Sequence, residues 1–424
     1  MGSAATARGG IRRTYTGQVP GLMMKDLNGT GMAPDGSLAQ MQQTDIVIIG
    51  GGLAGVSAAT ALSRRGYDTT LISARDQHPP DFRAEKLGQA QMELLRQVGL
   101  DATASAQMTA FDGVWLYRFG RRVEQGGARE YGSDYADLVN ALRRALPAEV
   151  RSVVAKVTEI DCGPDRQHII LSDGQSFKCR LVIVATGLGD TIRKKIGVDK
   201  QVVSPAHSLC CGFDLARARN DFPFPSLVWT GERFDDRISY LTLFPIGDKV
   251  RANLFVYRDF AEEWTRRFRA DPRAGLREVM PNLERTFGPI EVVGPVITRP
   301  IDLVRVSNPQ RDGVVLVGDA FCVVCPITGT GIDKALTDVD RLCNVHIPRW
   351  FESPGMPLAK IAQYYADPVK VARDESAMKM SLDSKSIKTD PSIYWGLRRL
   401  RSRTLGQARY AMKRLLTRRE SSTA

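Results

Sequence analysis

The segment Ile46-Val47-Ile48-Ile49-Gly50-Gly51-Gly52-Leu53-Ala54-Gly55 constrains the fold of this chain more than any other. Four apolar residues in a row read as a buried strand, and Val56-Ser57-Ala58-Ala59-Thr60-Ala61-Leu62 reads as a helix of small and apolar residues. The glycines therefore occupy the turn between strand and helix. In such a turn Gly50 allows the tight bend, Gly52 lets backbone approach a pyrophosphate, and Gly55 lets the helix lie close on the strand. The N–H groups at the helix start, around Leu53 and Ala54, then face the phosphates. The expectation is an α/β fold with a Rossmann-like, dinucleotide-binding domain.

A second stretch decides which dinucleotide. Gly313-Val314-Val315-Leu316-Val317-Gly318-Asp319-Ala320 reads as another buried strand, this one running into an acidic residue. Pro326, Gly329, Thr330 and Gly331 follow, and a helical pattern then runs through Ile332, Ala335, Leu336, Val339 and Leu342. With this ordered set the chain resembles the FAD-dependent monooxygenases of the p-hydroxybenzoate hydroxylase type, over roughly residues 44 to 385. The resemblance implies that Gly318-Asp319 contacts the ribityl chain of FAD. It also implies that the loop Pro326-Ile327-Thr328-Gly329-Thr330-Gly331 cradles the pyrophosphate and the isoalloxazine. Arg83, in Phe82-Arg83-Ala84-Glu85-Lys86-Leu87, stands where the family places an arginine against the phosphate and ribityl region. Lys178 to Gly187 matches the strand that carries the family's Asp-Gly motif, which makes Gly187 a cofactor-binding candidate. Tyr364-Tyr365 and Arg373-Asp374 resemble the tail of the catalytic core.

The family's architecture implies a discontinuous FAD-binding domain at 44–200 and 290–345, interleaved with an antiparallel-sheet substrate domain at 201–289. A C-terminal helical region with a basic tail would fill 346–424, and a flexible segment 1–43. The implied reaction uses FAD and O₂, with NADPH or NADH as reductant. A flavin hydroperoxide would pass its distal oxygen to a small, aromatic or polyketide-like substrate, by hydroxylation or epoxidation. Four positions depart from the family pattern. Ser73 closes the strand Thr69–Ser73 where an acid ordinarily accepts a hydrogen bond from the adenosine ribose, so its hydroxyl or Asp76 must serve. Thr186 replaces the Asp of Asp-Gly, a motif tied to both FAD and NAD(P)H, and leaves the reductant open. Phe321 and Cys322 replace the residues that usually follow Gly-Asp-Ala.

Between the flavin motifs the chain turns β-rich. Val153–Ile160 and Gln167–Leu171, with the turn Ser172-Asp173-Gly174, suggest a hairpin feeding the strand to Gly187. Ile238–Phe244 and Val250–Tyr257 around Pro245-Ile246-Gly247-Asp248 read as an antiparallel hairpin, and Tyr240, Phe244, Asn253 and Phe255 are its candidates for a substrate pocket. Phe260 to Phe287 reads as helical, with Trp264 and Phe268 on one face. A phenolic substrate needs a base, and His207, Tyr240 and Asp248 all qualify by residue type. The four histidines fall in no metal-ligand spacing, so no metal is expected. Cys322-Val323-Val324-Cys325 could shuttle electrons as a dithiol, or be structural cysteines in an apolar setting.

Composition bounds the rest. Seven cysteines without a framework spacing suggest reduced thiols and a cytoplasmic setting. No apolar stretch is long enough to span a bilayer. Met1-Gly2 with Thr6 formally fits a myristoylation pattern, though a plain lead-in explains it as well. From Pro391 to Ala424 there are nine basic residues and one acid, so this tail holds +8 of the net +12. Within it Tyr394, Leu397, Leu400, Leu405, Ala408, Met412 and Leu415 recur at helical spacing. The favoured expectation is a helix that docks this stripe on the core, and the alternative is peripheral contact with an anionic membrane. No aromatic-rich or zinc module organises the basic residues for nucleic acid. Competing functions are a flavin-dependent reductase, a halogenase, or a non-catalytic flavin-binding protein recruited through the tail. No Trp-x-Trp-x-Ile-Pro motif, the mark of halogenases, occurs here.

Overall fold

Alternation of polar and apolar residues in long strands, against short runs apolar throughout, sorts the chain into two kinds of sheet. The computed structural model describes residues 41–81 and 83–401. The short apolar runs form the centre and one edge of a parallel sheet, ordered Val314–Leu316, Leu181–Val184, Ile46–Ile49, Thr69–Ser73, Arg151–Val154, in which the last two strands carry polar residues. Its three central strands are buried because helices cover one face, while Val157, Ile169, Leu171 and Phe177 of a second sheet pack on Val47, Ile49, Val182 and Val184 of the other. The helix Leu53–Ser63 leaves the Ile46–Ile49 strand through the glycine turn.

A four-stranded sheet lies beside it, ordered Gln42–Gln43, Ser176–Cys179, Gln167–Leu171, Val157–Asp161. The expected apolar run 153–160 is thus divided between two sheets, because Ala155 and Lys156 break it and the Ser172–Gly174 turn joins only the later strands.

The third sheet has nine strands, ordered Cys322–Val323, Val292–Val306, Lys200–Leu215, Lys249–Val256, Ile238–Ile246, Leu227–Thr230, Thr109–Arg118, Arg121–Asp134, Ala84–Leu87. Three strands from 84–134, one from 292–306 and Cys322–Val323 join the four strands of 200–256 in this sheet. The hairpin Ile238–Ile246/Lys249–Val256 forms as expected. The helical stretch after Phe260 differs: it is three short helices, Glu263–Ala270, Pro272–Val279 and Pro281–Phe287. Pro272 and Pro281 each sit in a first turn, where their missing N–H costs nothing and a continuing helix would lose a bond. Trp264 and Phe268 stack at 5.0 Å, and with Leu276, Val279 and Leu283 they cover one face of the large sheet.

The other face of that sheet turns toward the flavin motifs. Cross-strand register puts Cys210, Phe255 and Tyr240 in one row, and Gly212, Asn253 and Thr242 in the next. Ala252, Leu254, Leu241 and Leu243 alternate onto the helix-covered face. The long helix Pro368–Thr389 packs over this region, with Asp367 capping it by accepting from the N–H groups of Val369 and Lys370.

Candidate active site

Two turns separated by more than two hundred residues meet at one point. A Cβ placed on Gly318 would touch the Cβ atoms of Ala54 and Ala335, both at 3.5 Å. The starts of the helices Leu53–Ser63 and Gly331–Asp340 therefore converge on the Gly318–Ala320 turn. Gly50 has φ +116°, and a Cβ there would lie 2.4 Å from the Ala185 carbonyl oxygen, so the first turn is pressed against the Leu181–Val184 strand. Gly55 is tighter still, with a hypothetical Cβ 1.8 Å from the Gly50 oxygen.

The crevice between these turns fits FAD. A side chain added at Gly187, Gly329 or Gly331 would meet nothing within 4 Å, and one at Gly52 only the Tyr135 hydroxyl at 3.6 Å. Thr186 Oγ1 and Asp333 Oδ1, both shielded from water, have no hydrogen-bond partner among the described residues. Open glycine faces, orphaned polar atoms and two helix starts are what a dinucleotide with a charged pyrophosphate requires. Tyr135 accepts the Leu53 N–H at 3.4 Å, and the Arg83 guanidinium lies 4.2 Å over the Tyr135 ring and 3.8 Å from Asp81. Burial pushes the Glu85 carboxyl up, with Asp319 and Asp81 adding to the rise against Arg83. Phe82 lies outside the described residues.

Arg143, on the helix Tyr135–Arg144, was not legible as a site residue. Its Nε donates to the Gly51 carbonyl at 2.7 Å and its Nη2 to Ser73 Oγ at 2.8 Å, while Nη1 reaches the carbonyls of Arg75 and Asp76. A guanidinium, held by Ser73, thus stands at the strand end where an acid is usual. The Asp76 side chain is exposed. No local signal marks Arg143, because only the packing of its helix brings it over the glycine turn.

Behind Gly318 lies a fully buried quartet of charges. Asp338 accepts from the Gly318 N–H at 2.8 Å, from Lys334 Nζ at 3.1 Å and from Lys370 Nζ at 2.9 Å. Asp374 pairs with Lys370 at 2.8 Å and Lys334 at 3.4 Å, and Lys334 Nζ also donates to the Gly318 carbonyl. The Phe321 ring closes the group, 3.9 Å from Lys370 Nζ. Burial alone would raise the Asp338 carboxyl, but Lys334, Lys370 and the Gly318 N–H hold it below the usual carboxylate range. Burial would lower Lys334, and Asp338 with Asp374 instead carry it above its ordinary value. Two Lys-x-x-x-Asp spacings, Lys334/Asp338 and Lys370/Asp374, were the available signal, since residues four apart share a helix face.

The sheet meets the Pro326–Gly331 loop through Tyr240, whose hydroxyl donates to the Ile327 carbonyl. The Phe255 ring lies tilted against it at 5.0 Å between centroids and joins Cys210, Cys325, Ile327 and Met378 in one apolar cluster. Asn253 follows on the same face. Phe244 lies two rows away, buried against Phe111. Burial raises the Tyr240 hydroxyl, so it stays a donor. We expect Tyr240→Phe to cost about 1 kcal/mol of stability by differential scanning calorimetry, the usual worth of one neutral hydrogen bond.

The other base candidates are not at the junction as free groups. His207 is fully buried, with Nδ1 3.1 Å from Ser204 Oγ and Nε2 3.1 Å from the Ser381 carbonyl. The Nε2–H therefore donates and the ring is neutral, with burial first and Lys385 second taking its pKa down to about 4. Between about 6.5 and about 4 the unfolded chain binds a proton that the folded chain refuses. Stability contributed by neutral His207 is thus full above that window and lost as pH falls through it. His207→Asn should flatten this acid limb in pH-dependent thermal melts. Asp248 sits exposed in the hairpin turn. Cys322 and Cys325 are free, buried thiols, and Cys325 Sγ lies 3.2 Å from Ser208 Oγ. Burial pushes the Cys325 thiol up to about 11, which suits a structural rather than a reactive sulfur. Among the described residues no three His, Cys, Asp or Glu side chains are grouped to hold a metal.

This fold and crevice define a flavoprotein of the FAD-dependent oxidoreductase class. The family model described as "FAD binding domain" matches residues 43–345, and the chain belongs to that family, among FAD-dependent monooxygenases of the p-hydroxybenzoate hydroxylase type. It is 25% identical over 324 residues to 3-demethoxyubiquinol 3-hydroxylase of Escherichia coli strain K12, covering 72% of this chain and 80% of that one. It is also 25% identical over 343 residues to squalene monooxygenase of Rattus norvegicus, covering 73% of this chain but 56% of that longer one. The solved structure of p-nitrophenol 4-monooxygenase PnpA from Pseudomonas putida DLL-E4 shares the fold, with TM-score 0.68, 16% identity, and coverage of 90% and 98%.

Proposed function

We propose that this protein uses FAD, O₂ and a nicotinamide, NADPH or NADH, to hydroxylate or epoxidise a small electron-rich molecule. The substrate would lie between the sheet face of Tyr240, Asn253 and Phe255 and the loop Pro326–Gly331. The Tyr240 hydrogen bond to Ile327 carries this reading, because it ties the candidate pocket wall to the loop that borders the flavin crevice. Relatives named as a 3-demethoxyubiquinol 3-hydroxylase and a squalene monooxygenase support oxygen insertion as the chemistry here.

Bound FAD would supply the activation of O₂ and the oxygen transfer. Gly50, Gly52, Leu53, Ala54 and Gly55 would hold its pyrophosphate, with Ser73 and Arg143 at the adenosine end. Arg83, Gly318 and Asp319 would face the ribityl chain, and Gly187, Pro326, Gly329, Thr330 and Gly331 the isoalloxazine side. The N–H dipoles at the Gly331–Asp340 helix start would stabilise charge that develops on the ring. The apolar cluster of Phe255, Cys325, Ile327 and Met378 would exclude water from the substrate. Thr186, a neutral hydroxyl, would have to serve where the family uses an acid.

Anaerobic mixing of the FAD-loaded protein with NADPH or NADH should bleach the visible flavin band, and added O₂ should restore it. If neither nicotinamide bleaches a flavin that dithionite reduces normally, the nicotinamide route is wrong and a partner reductase must supply the electrons.

A further inference from the structure

After the helix Pro368–Thr389 the chain turns at Asp390 and becomes helical again over residues 393–401. At 3.6 residues per turn, Trp395 and Arg399 share one side, while Ile393, Leu397 and Leu400 share the opposite one. The first side is docked. The Arg399 guanidinium donates to the carbonyls of Asp390 at 2.7 Å and Ile387 at 3.4 Å, and lies 4.1 Å over the Phe234 ring. The apolar side faces water: Ile393 is 83% exposed, Tyr394 61%, Leu397 62% and Leu400 57%. The expectation that this stripe packs on the core is therefore overturned for the described part of the helix. Arg399 decides the orientation, because rotating the stripe inward would break both carbonyl bonds and remove the guanidinium from Phe234. Leu405, Ala408, Met412 and Leu415 lie outside the described residues.

Charge is the second, independent observation. The sequence from 391 to 424 carries +8, against +4 for the remainder of the chain. Arg398 is partly balanced by Asp383 at 3.6 Å, and the segment beyond it contains one acid. An outward apolar stripe inside a strongly basic segment is complementary to an anionic bilayer surface, which offers hydrocarbon and negative headgroups together. No helix among the described residues is long and apolar enough to cross a membrane, so the contact would be interfacial.

We propose that this helix docks the protein on the surface of an anionic lipid bilayer. Ile393, Tyr394 and Leu397 enter the boundary between headgroups and acyl chains, and the net positive charge of the 391–424 sequence favours an anionic surface. The docked helix continues from Pro368–Thr389, whose Ser381 binds the Cys325 N–H at 3.0 Å and His207. Membrane contact thus sits at the end of the element that walls the flavin loop. The proposal does not depend on which reaction the flavin performs.

The test is sedimentation of the full-length, FAD-loaded protein with sucrose-loaded vesicles. Vesicles of phosphatidylcholine containing phosphatidylglycerol should carry the protein down at low salt, and pure phosphatidylcholine should not. Ile393→Asp with Leu397→Asp should weaken binding by at least about tenfold, with circular dichroism and FAD content unchanged because both side chains are exposed. Absence of wild-type binding to the anionic vesicles overturns the proposal, as does full binding by the double variant. A wild-type dimer in sedimentation velocity that the same variant converts to monomer, without vesicle binding, assigns the face to a second copy and also overturns it.

Discussion

Gly55→Ala should cost the protein its stability and its FAD together. A Cβ at Gly55 would stand 1.8 Å from the Gly50 oxygen and 3.0 Å from its carbonyl carbon, both backbone atoms of the turn proposed to hold the pyrophosphate. No side chain can swing away to relieve this. The helix Leu53–Ser63 must move off the Ile46–Ile49 strand, at about 3 kcal/mol, the upper end of what overpacking costs. A fall in melting temperature should accompany a loss of FAD affinity in a fluorescence titration. Gly52→Ala separates the two effects. Its Cβ would have only the Tyr135 hydroxyl nearby, at 3.6 Å, and its φ of −80° suits alanine. Stability should be kept while FAD affinity drops, because the added methyl points at the cofactor rather than the protein. If Gly52→Ala holds FAD like the wild type, the cofactor does not approach that glycine.

Asp338→Ala should be the most damaging change outside the glycines. It strands two buried ammonium groups with only Asp374 between them and frees the Gly318 N–H, at a cost of about 3–5 kcal/mol. The quartet also sets a pH window. The Asp338 carboxyl is depressed, so its contribution is full above its unfolded pKa and is lost as pH falls through the lower, folded value. Lys334 is raised, so its contribution is full below its unfolded pKa and is lost as pH rises through the higher, folded value. Urea melts across pH should show stability highest between the carboxylate and ammonium ranges. The Asp338→Ala variant should lose most of that dependence. An unchanged melt for the variant would mean that the four charges are not a single buried network.

The centre of the parallel sheet was legible because Ile46–Ile49, Leu181–Val184 and Val314–Leu316 are uninterrupted apolar runs, whereas the edge strand Arg151–Val154 is not. The two turns proposed to hold the flavin, Gly50–Gly55 and Gly318–Gly331, are each one run of consecutive residues, which is why the sequence could propose them. The large sheet was only half legible. The 238–257 hairpin announces itself by alternation and a turn, but its partners at 84–134 and 292–306 come from segments that local pattern assigned elsewhere. Strand pairing is a long-range choice, and nothing within those segments names the neighbour.

Pattern failed altogether where side chains act across elements. Tyr240 reads as one aromatic among several on its strand until the Ile327 carbonyl comes within reach. Arg143 reads as the basic end of an amphipathic helix until that helix lies across Ser73 and Gly51. The C-terminal helix shows the limit most plainly. Its apolar stripe was visible, and the general preference for burial pointed it inward, yet Arg399 binds two carbonyls and an aromatic ring and turns it out. By itself the sequence determined the cofactor fold, since glycines and apolar runs act through backbone sterics and local burial. The tertiary structure alone decided which polar groups face one another, because hydrogen bonds and ion pairs depend on distances between residues far apart in the chain.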